Sequence, residues 1–217
     1  MQSAEELEST VTHVVEGDEP AILARIFEPG VNLVVFRRSI DSGLQAFTDQ
    51  YLLRHAPCAE ERALSRAEDV AGVLPASILA SDGVAALQAD IEAVARLWQD
   101  LFDPDRSGVR FRILDKAMCP RFHVDRVMVR LIVSYGGSGT EWLPEEAVDR
   151  SLLGMPLTDP NQDPLARPEA ICPVPSYAIA LLKGSAWPGN EDRAIVHRSP
   201  HIHPPERRAL LTLDMLA

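Results

Sequence analysis

Cysteine is scarce in this chain: Cys58, Cys119 and Cys172 are an odd number with no Cys-x-x-Cys spacing. That excludes a disulfide framework and a paired-cysteine zinc motif, and it is the cysteine usage of a reducing cytoplasm. Positive charge is short as well, with 21 Lys and Arg against 32 Asp and Glu and a formal net charge of −11. Proteins that grip phosphate backbones concentrate Lys and Arg on one face, so nucleic acid is not an expected partner. No stretch approaches about 18 uninterrupted apolar residues, which leaves no candidate membrane span. The start, Met1-Gln2-Ser3-Ala4-Glu5-Glu6, has neither the basic opening nor the apolar run of a secretory signal, and a cytoplasmic location is expected. Gly136-Gly137-Ser138-Gly139 has the composition of a phosphate cradle, but no Lys and helix start follow it. It reads as a hairpin turn.

What is present is an ordinary globular composition, 217 residues with 46% hydrophobic and 24% charged, enough for one domain with a full-sized core. Residues 1–20 are polar and acidic and read as a flexible lead-in. Val31–Phe36 is a short apolar run after Pro29-Gly30, a strand opened by a turn. Leu44, Phe47, Tyr51 and Leu52 follow at helical spacing behind Asp41 or Ser42 as N-cap. The clearest helix spans 82–102, where Leu87, Ile91, Val94, Ala95, Trp98, Leu101 and Phe102 recur every three or four residues behind Ser81-Asp82. From residue 109 the period becomes two, with strands expected at 109–113, 127–135, 177–182, 193–196 and 208–213. Between them, 154–176 carries six prolines and reads as a long, lid-like loop. Helices first and many short strands after them predict an α+β fold around a β-sandwich or barrel, with the N-terminal helices packed on its outer sheet.

The candidate chemistry centres on His123-Val124-Asp125 and His197. In an extended segment alternate side chains share a face, so His123 and Asp125 can take adjacent positions around a metal, with His197 from another strand as third ligand. Two imidazoles and one carboxylate with open positions suit non-haem Fe(II). With six histidines in the chain, a chance His-x-Asp is expected about 0.4 times, so the pattern needs its context. In the bland alternative, the histidines are hydrogen-bonded near a sheet and Asp125 caps a turn. Cys119 with His123 and His197 would suit zinc. His201 and His203 read as loop histidines, Arg126 and Arg130 as contacts to an anionic substrate or as a solvated face, and Ser199 has no nearby base. Eleven residues after His197, Arg208 opens the last strand and can pair bidentately with a carboxylate. Its neighbour Arg207 must point to the opposite face. Tyr135 is either a hydrogen-bonding partner of a bound cosubstrate or a core tyrosine.

His-x-Asp, a distant His and a following Arg resemble the iron(II)- and 2-oxoglutarate-dependent dioxygenases over about residues 109–214. More closely, Phe122-His123-Val124-Asp125-Arg126, Tyr135 to Pro144, Leu182 to Trp187 and Val196 to His201 resemble a bacterial family known as domain of unknown function 1826. The first resemblance implies a cupin-like double-stranded β-helix (jelly roll), Fe(II) held by His123, Asp125 and His197, and 2-oxoglutarate held by Arg208 and Tyr135. It departs at Leu210, where many dioxygenases place Ser or Thr. The second is similar in gene setting to zinc-homeostasis proteins, which implies the alternative of a Zn(II)-binding protein of metal homeostasis without redox turnover. The substrate, the metal and the oligomeric state are left open at this stage.

Overall fold

The computed structural model describes residues 13–64, 70, 72–156, 163–165 and 167–216. Ten strands run in chain order: β1 (His13–Gly17), β2 (Val31–Phe36), β3 (Cys58–Leu64), β4 (Ser107–Leu114), β5 (Val129–Ser134), β6 (Glu141–Trp142), β7 (Cys172–Pro173), β8 (Ile179–Lys183), β9 (His197–Arg198) and β10 (Arg208–Met215). They form a seven-stranded sheet, ordered β1-β2-β8-β5-β10-β4-β3, and a three-stranded sheet, ordered β7-β6-β9. Every pairing is antiparallel except the parallel pair β1 and β2.

Alternation along the strands builds three layers. On β10, Ala209, Leu211 and Leu213 pack in one core cluster, and Leu210 packs in another. The first cluster joins the sheet to the helices α1 (Ser42–Gln50), α2 (Ala76–Leu79) and α3 (Val84–Phe102) through Leu44, Phe47, Ile78, Leu87, Ile91, Val94 and Trp98. In α1 the Asp41 carboxylate accepts hydrogen bonds from the Gly43 and Leu44 amides, so two of the orphan amides of the first turn are satisfied. α3 starts after Gly83 at φ 85°, a left-handed position that Ser81-Asp82 did not foretell, and buries the expected stripe. Trp98 hydrogen-bonds Ser107 of β4 at 2.9 Å, so its ring is buried without an unsatisfied N–H.

The second cluster lies between the two sheets: Leu33, Val35, Ile132, Ala180, Leu182 and Leu210 face Trp142, Val174 and Ile195. A third, smaller cluster backs the small sheet. Phe122, Leu143 and Val196 pack there with Leu165, Ala170 and Ile171 of the proline-rich segment. The described part of that segment packs on the small sheet, and residues 157–162 and 166 lie outside the described residues. Two expectations are corrected. His13–Gly17, expected as lead-in, is a strand because β2 offers it a parallel edge, and residues 1–12 lie outside the described residues. Residues 193–196 are not a strand; pairing begins only at His197, where β6 supplies a partner. β3 was not anticipated, since Cys58–Leu64 has three consecutive charged residues at its centre and is mostly exposed at the sheet edge.

Candidate metal centre

His123 and His197 lie 74 positions apart in the chain and exchange two backbone hydrogen bonds, each amide donating to the other's carbonyl at 3.0 Å. β9 is itself fixed to β6, with Trp142 opposite His197. Asp125 is anchored by its carbonyl, which accepts from the Ser185 amide at 2.9 Å and the Ser185 hydroxyl at 3.2 Å. The approach is tight enough to require glycine at 184: a Cβ there would lie 2.1 Å from the Val127 carbonyl oxygen and 2.9 Å from that of Asp125.

These backbone ties bring the three side chains together. One ligand atom from each of His123, Asp125 and His197 lies within 4.8 Å of the others, and the imidazole centroids are 4.6 Å apart. His123 Nε2 is 3.7 Å from Asp125 Oδ1, and His197 Nε2 is 3.3 Å from Asp125 Oδ2. Each ring's other nitrogen faces a carbonyl, His123 Nδ1 at 2.9 Å from Arg121 O and His197 Nδ1 at 3.2 Å from Ile195 O. A carbonyl only accepts, so Nδ1 carries the proton, and in the neutral ring the Nε2 lone pair points at Asp125. Backbone-oriented imidazoles of this kind are the usual arrangement behind a metal.

Charges around the triad favour its metal-ready form. Burial would raise the Asp125 carboxyl, but in the metal-free site His197 with a proton on Nε2 can donate to it, and that contact with the charges of His197, Arg130 and His123 holds it at about 2. Burial, followed by the neighbouring His197, lowers His123. Arg130 Nη1 donates to Asp125 Oδ2 at 2.7 Å, while its Nε and Nη2 donate to Asp214 at 2.7 and 2.9 Å. Asp214 is buried and also accepts from Arg110, which is paired in turn with Glu61 at 2.9 Å. One oxygen of Asp125 is thus held in a relay of alternating charge.

Arg208 faces the space between the sheets and is 1% exposed. Its Nη2 donates to Thr140 Oγ1 at 2.6 Å and to Ser134 Oγ at 3.1 Å, and Nε donates to Ser134 Oγ at 3.3 Å. Among the described residues no carboxylate lies within ion-pairing distance of it. Burial lowers it to about 10, against the opposing pull of Glu141, and Glu141 is itself paired with Arg198 at 2.6 Å. Arg207 is half-buried and bonded to the Glu206 carbonyl.

The remaining candidates lie elsewhere. Tyr135 is not beside the triad: its buried hydroxyl donates to Asp90 at 2.6 Å within the helix-side core, where Arg38 holds the same carboxylate. Burial and Asp90 push it well above the usual tyrosine range. Parity explains the correction, because Tyr135 follows Ser134, which faces Arg208. Cys119 is exposed and is not part of the metal-ligand group. Ser199 is tied to Cys119, its hydroxyl accepting from the Cys119 amide at 3.4 Å and its own amide donating to the Cys119 carbonyl at 2.9 Å; His201, His203 and Arg126 are exposed, and Gly136 and Gly137 have φ of 77° and 74° in the connection after β5. Sequence reasoning missed Ser134, Thr140, Arg110 and Asp214. The strand parity that selected Arg208 also places Asp214 on its face, and this was the available signal.

A large sheet faces a small one, with His197 on the small sheet, His123 bridged to it and Asp125 ahead of β5. The chain belongs to the family of proteins of unknown function DUF1826, whose model matches residues 17–214. No curated protein matches it. Among solved structures, dioxygenase for auxin oxidation 1 from Arabidopsis thaliana, in a binary complex with 2-oxoglutarate, is similar at 12% identity and a TM-score of 0.50, covering 94% of this chain and 92% of that one. The rice dioxygenase for auxin oxidation gives 14% identity, a TM-score of 0.49 and coverage of 94% and 82%. HygX from Streptomyces hygroscopicus with iron bound gives 12%, 0.45, and 90% and 86%. At such identities the likeness is one of fold.

Proposed function

We propose that this chain is a mononuclear non-haem Fe(II) oxygenase with a double-stranded β-helix core that uses 2-oxoglutarate as cosubstrate. The observation that carries this reading is Arg208, a buried guanidinium without a carboxylate partner among the described residues, in the same inter-sheet space as a His-Asp-His cluster. A buried cation left without an anion is costly, and such a group persists where a ligand supplies the missing charge. The donor set fits the ion: two neutral imidazoles and one carboxylate leave coordination positions open, as Fe(II) oxygenases require.

His123 Nε2, His197 Nε2 and Asp125 Oδ1 would hold the metal. Arg130 occupies Asp125 Oδ2, which favours one-oxygen ligation and keeps the remaining positions free. Arg208 would bind the distal carboxylate of the keto acid, its plane set by Ser134 and Thr140. Leu210 stands where related enzymes place a hydroxyl, but Ser134 lies opposite it in register and supplies that hydroxyl from β5. Trp142, Ile132 and Leu210 keep the inter-sheet space apolar and exclude water. When bound, iron with 2-oxoglutarate supplies the oxidising chemistry: dioxygen is consumed, the keto acid loses CO2 to become succinate, and one oxygen atom passes to a substrate.

Anaerobic reconstitution of the apoprotein with Fe(II) and 2-oxoglutarate should give a visible charge-transfer band, lost in Arg208→Gln, and succinate when oxygen is admitted. Tight Zn(II) binding with neither band nor succinate would instead establish a zinc-binding protein without turnover.

A further inference from the structure

The inner face of the large sheet continues past the part that the small sheet covers. Between-sheet packing draws on β2, β8, β5 and β10, with only Leu114 contributed from β4 and nothing from β3. Register places Arg112 of β4 beside Leu210 and Arg110 beside Thr212, on the same face as Arg208 and Asp214. On the far side Glu61 of β3 pairs in register with Arg110. This strip adjoins the Asp125 relay, with Thr212 and Asp214 buried and the Arg110 and Arg112 side chains reaching solvent only in part.

The acids on the floor are already committed. Asp214 accepts from both Arg110 and Arg130, Glu61 pairs with Arg110 at 2.9 Å, and Asp125 pairs with Arg130 at 2.7 Å. Arg112 reaches only Glu61, at 4.0 Å, with its side chain 18% exposed. Among the described residues its side chain makes no hydrogen bond. It is a planar double donor, mostly buried, flanked by two other guanidiniums, in a protein whose net charge is −11. Such a group is stabilised by an anion that offers two oxygens.

We propose that Arg112 is a recognition site for an anionic group, a carboxylate or a phosphate, on the molecule that is oxidised. This site is separate from the Arg208 site and rests on the oxygenase reading for its role. The reading makes the primary substrate an acid, docked on β4 with its remainder extending over the triad.

The test uses the full chain without metal, so that it stands apart from metal loading. Isotope-labelled protein is titrated with inorganic phosphate and, separately, with acetate, while the arginine Nε–H resonances are followed. Saturable shifts at Arg112 and at the neighbouring Arg110 and Arg130 are expected with at least one anion; followed at those neighbours, binding weakens about tenfold or more in Arg112→Gln and is partly restored in Arg112→Lys, with an unchanged thermal midpoint for both variants. The anion bound more tightly identifies the substrate group. Arg208→Gln should lose 2-oxoglutarate binding yet keep the Arg112 response. Equal binding by wild type and Arg112→Gln, no response to either anion, or a response abolished by Arg208→Gln would each overturn the proposal. Failure of Fe(II) to bind would sink the oxygenase reading while leaving this measurement intact.

Discussion

Replacing Asp214 with Asn should damage stability and metal binding by separable routes. The carboxylate is 4% exposed and receives Arg110 together with two nitrogens of Arg130. Asn keeps the shape but removes the charge, so two arginines face each other with only Glu61 and Asp125 to hold them. Removing one partner of a buried ion pair costs about 3–5 kcal/mol, most of it from the charge left behind. Urea unfolding of the metal-free protein should therefore show a fall in midpoint at constant m-value. In the double variant Arg130→Met with Asp214→Leu, the Arg130–Asp214 pair is removed together and Arg110 keeps Glu61, while Asp125 loses its arginine partner. Only part of the lost stability should return. Metal affinity should not return: without Arg130, Asp125 Oδ2 is unheld, and loss of an outer partner of a ligand weakens binding by about 10- to 100-fold. Co(II) titration reads this directly. A single variant that loses less than about 1 kcal/mol, or a double variant that binds Co(II) as tightly as wild type, would refute the idea that the relay positions the carboxylate.

Three other outcomes are expected. Asp125 sits at about 2 against an ordinary 3.8, so its ionised form contributes about 2 kcal/mol to the metal-free fold above pH ~4, and this is lost as pH falls through about 2; acid unfolding of Asp125→Asn should lack that component. Arg208→Met should raise the stability of the ligand-free protein by about 1–3 kcal/mol, because it removes a buried charge without a carboxylate partner, while weakening 2-oxoglutarate binding about 10- to 100-fold by calorimetry. Gly184→Ala should push the Asp125 segment off the 184–186 turn, and it should lower both thermal midpoint and Co(II) affinity, whereas Gly189→Ala, with open space around its Cβ, should leave Co(II) affinity unchanged.

The parts of this molecule that could be read from sequence are those fixed by local periodicity. The α3 stripe, the alternation of β4 and the parity of Arg208 each depend on spacing alone, and the strands and helix form where that spacing places them. β1 and β3 escaped because edge strands take their conformation from a partner, β2 in one case and β4 in the other. Tyr135 was misplaced by a single step of parity at the end of β5. The triad was legible as residue types in a plausible order, but its closure depends on the His123 and His197 backbone pairing, which no local signal carries. Asp214 shares the parity of Arg208, but its role depends on Arg130, which lies on another strand.

The direct bond between the backbones of His123 and His197 gives a bound ion a second consequence. Everything from β5 to β8 lies in the loop that those two residues close. An ion across them would be a removable cross-link in a chain that has no disulfide among its described residues. Binding that requires the folded site stabilises it by about 2.7 kcal/mol when free ion exceeds its dissociation constant a hundredfold. Resistance to proteolysis in the cell would then rise and fall with metal supply, so that the amount of intact protein records how much metal was at hand when it folded.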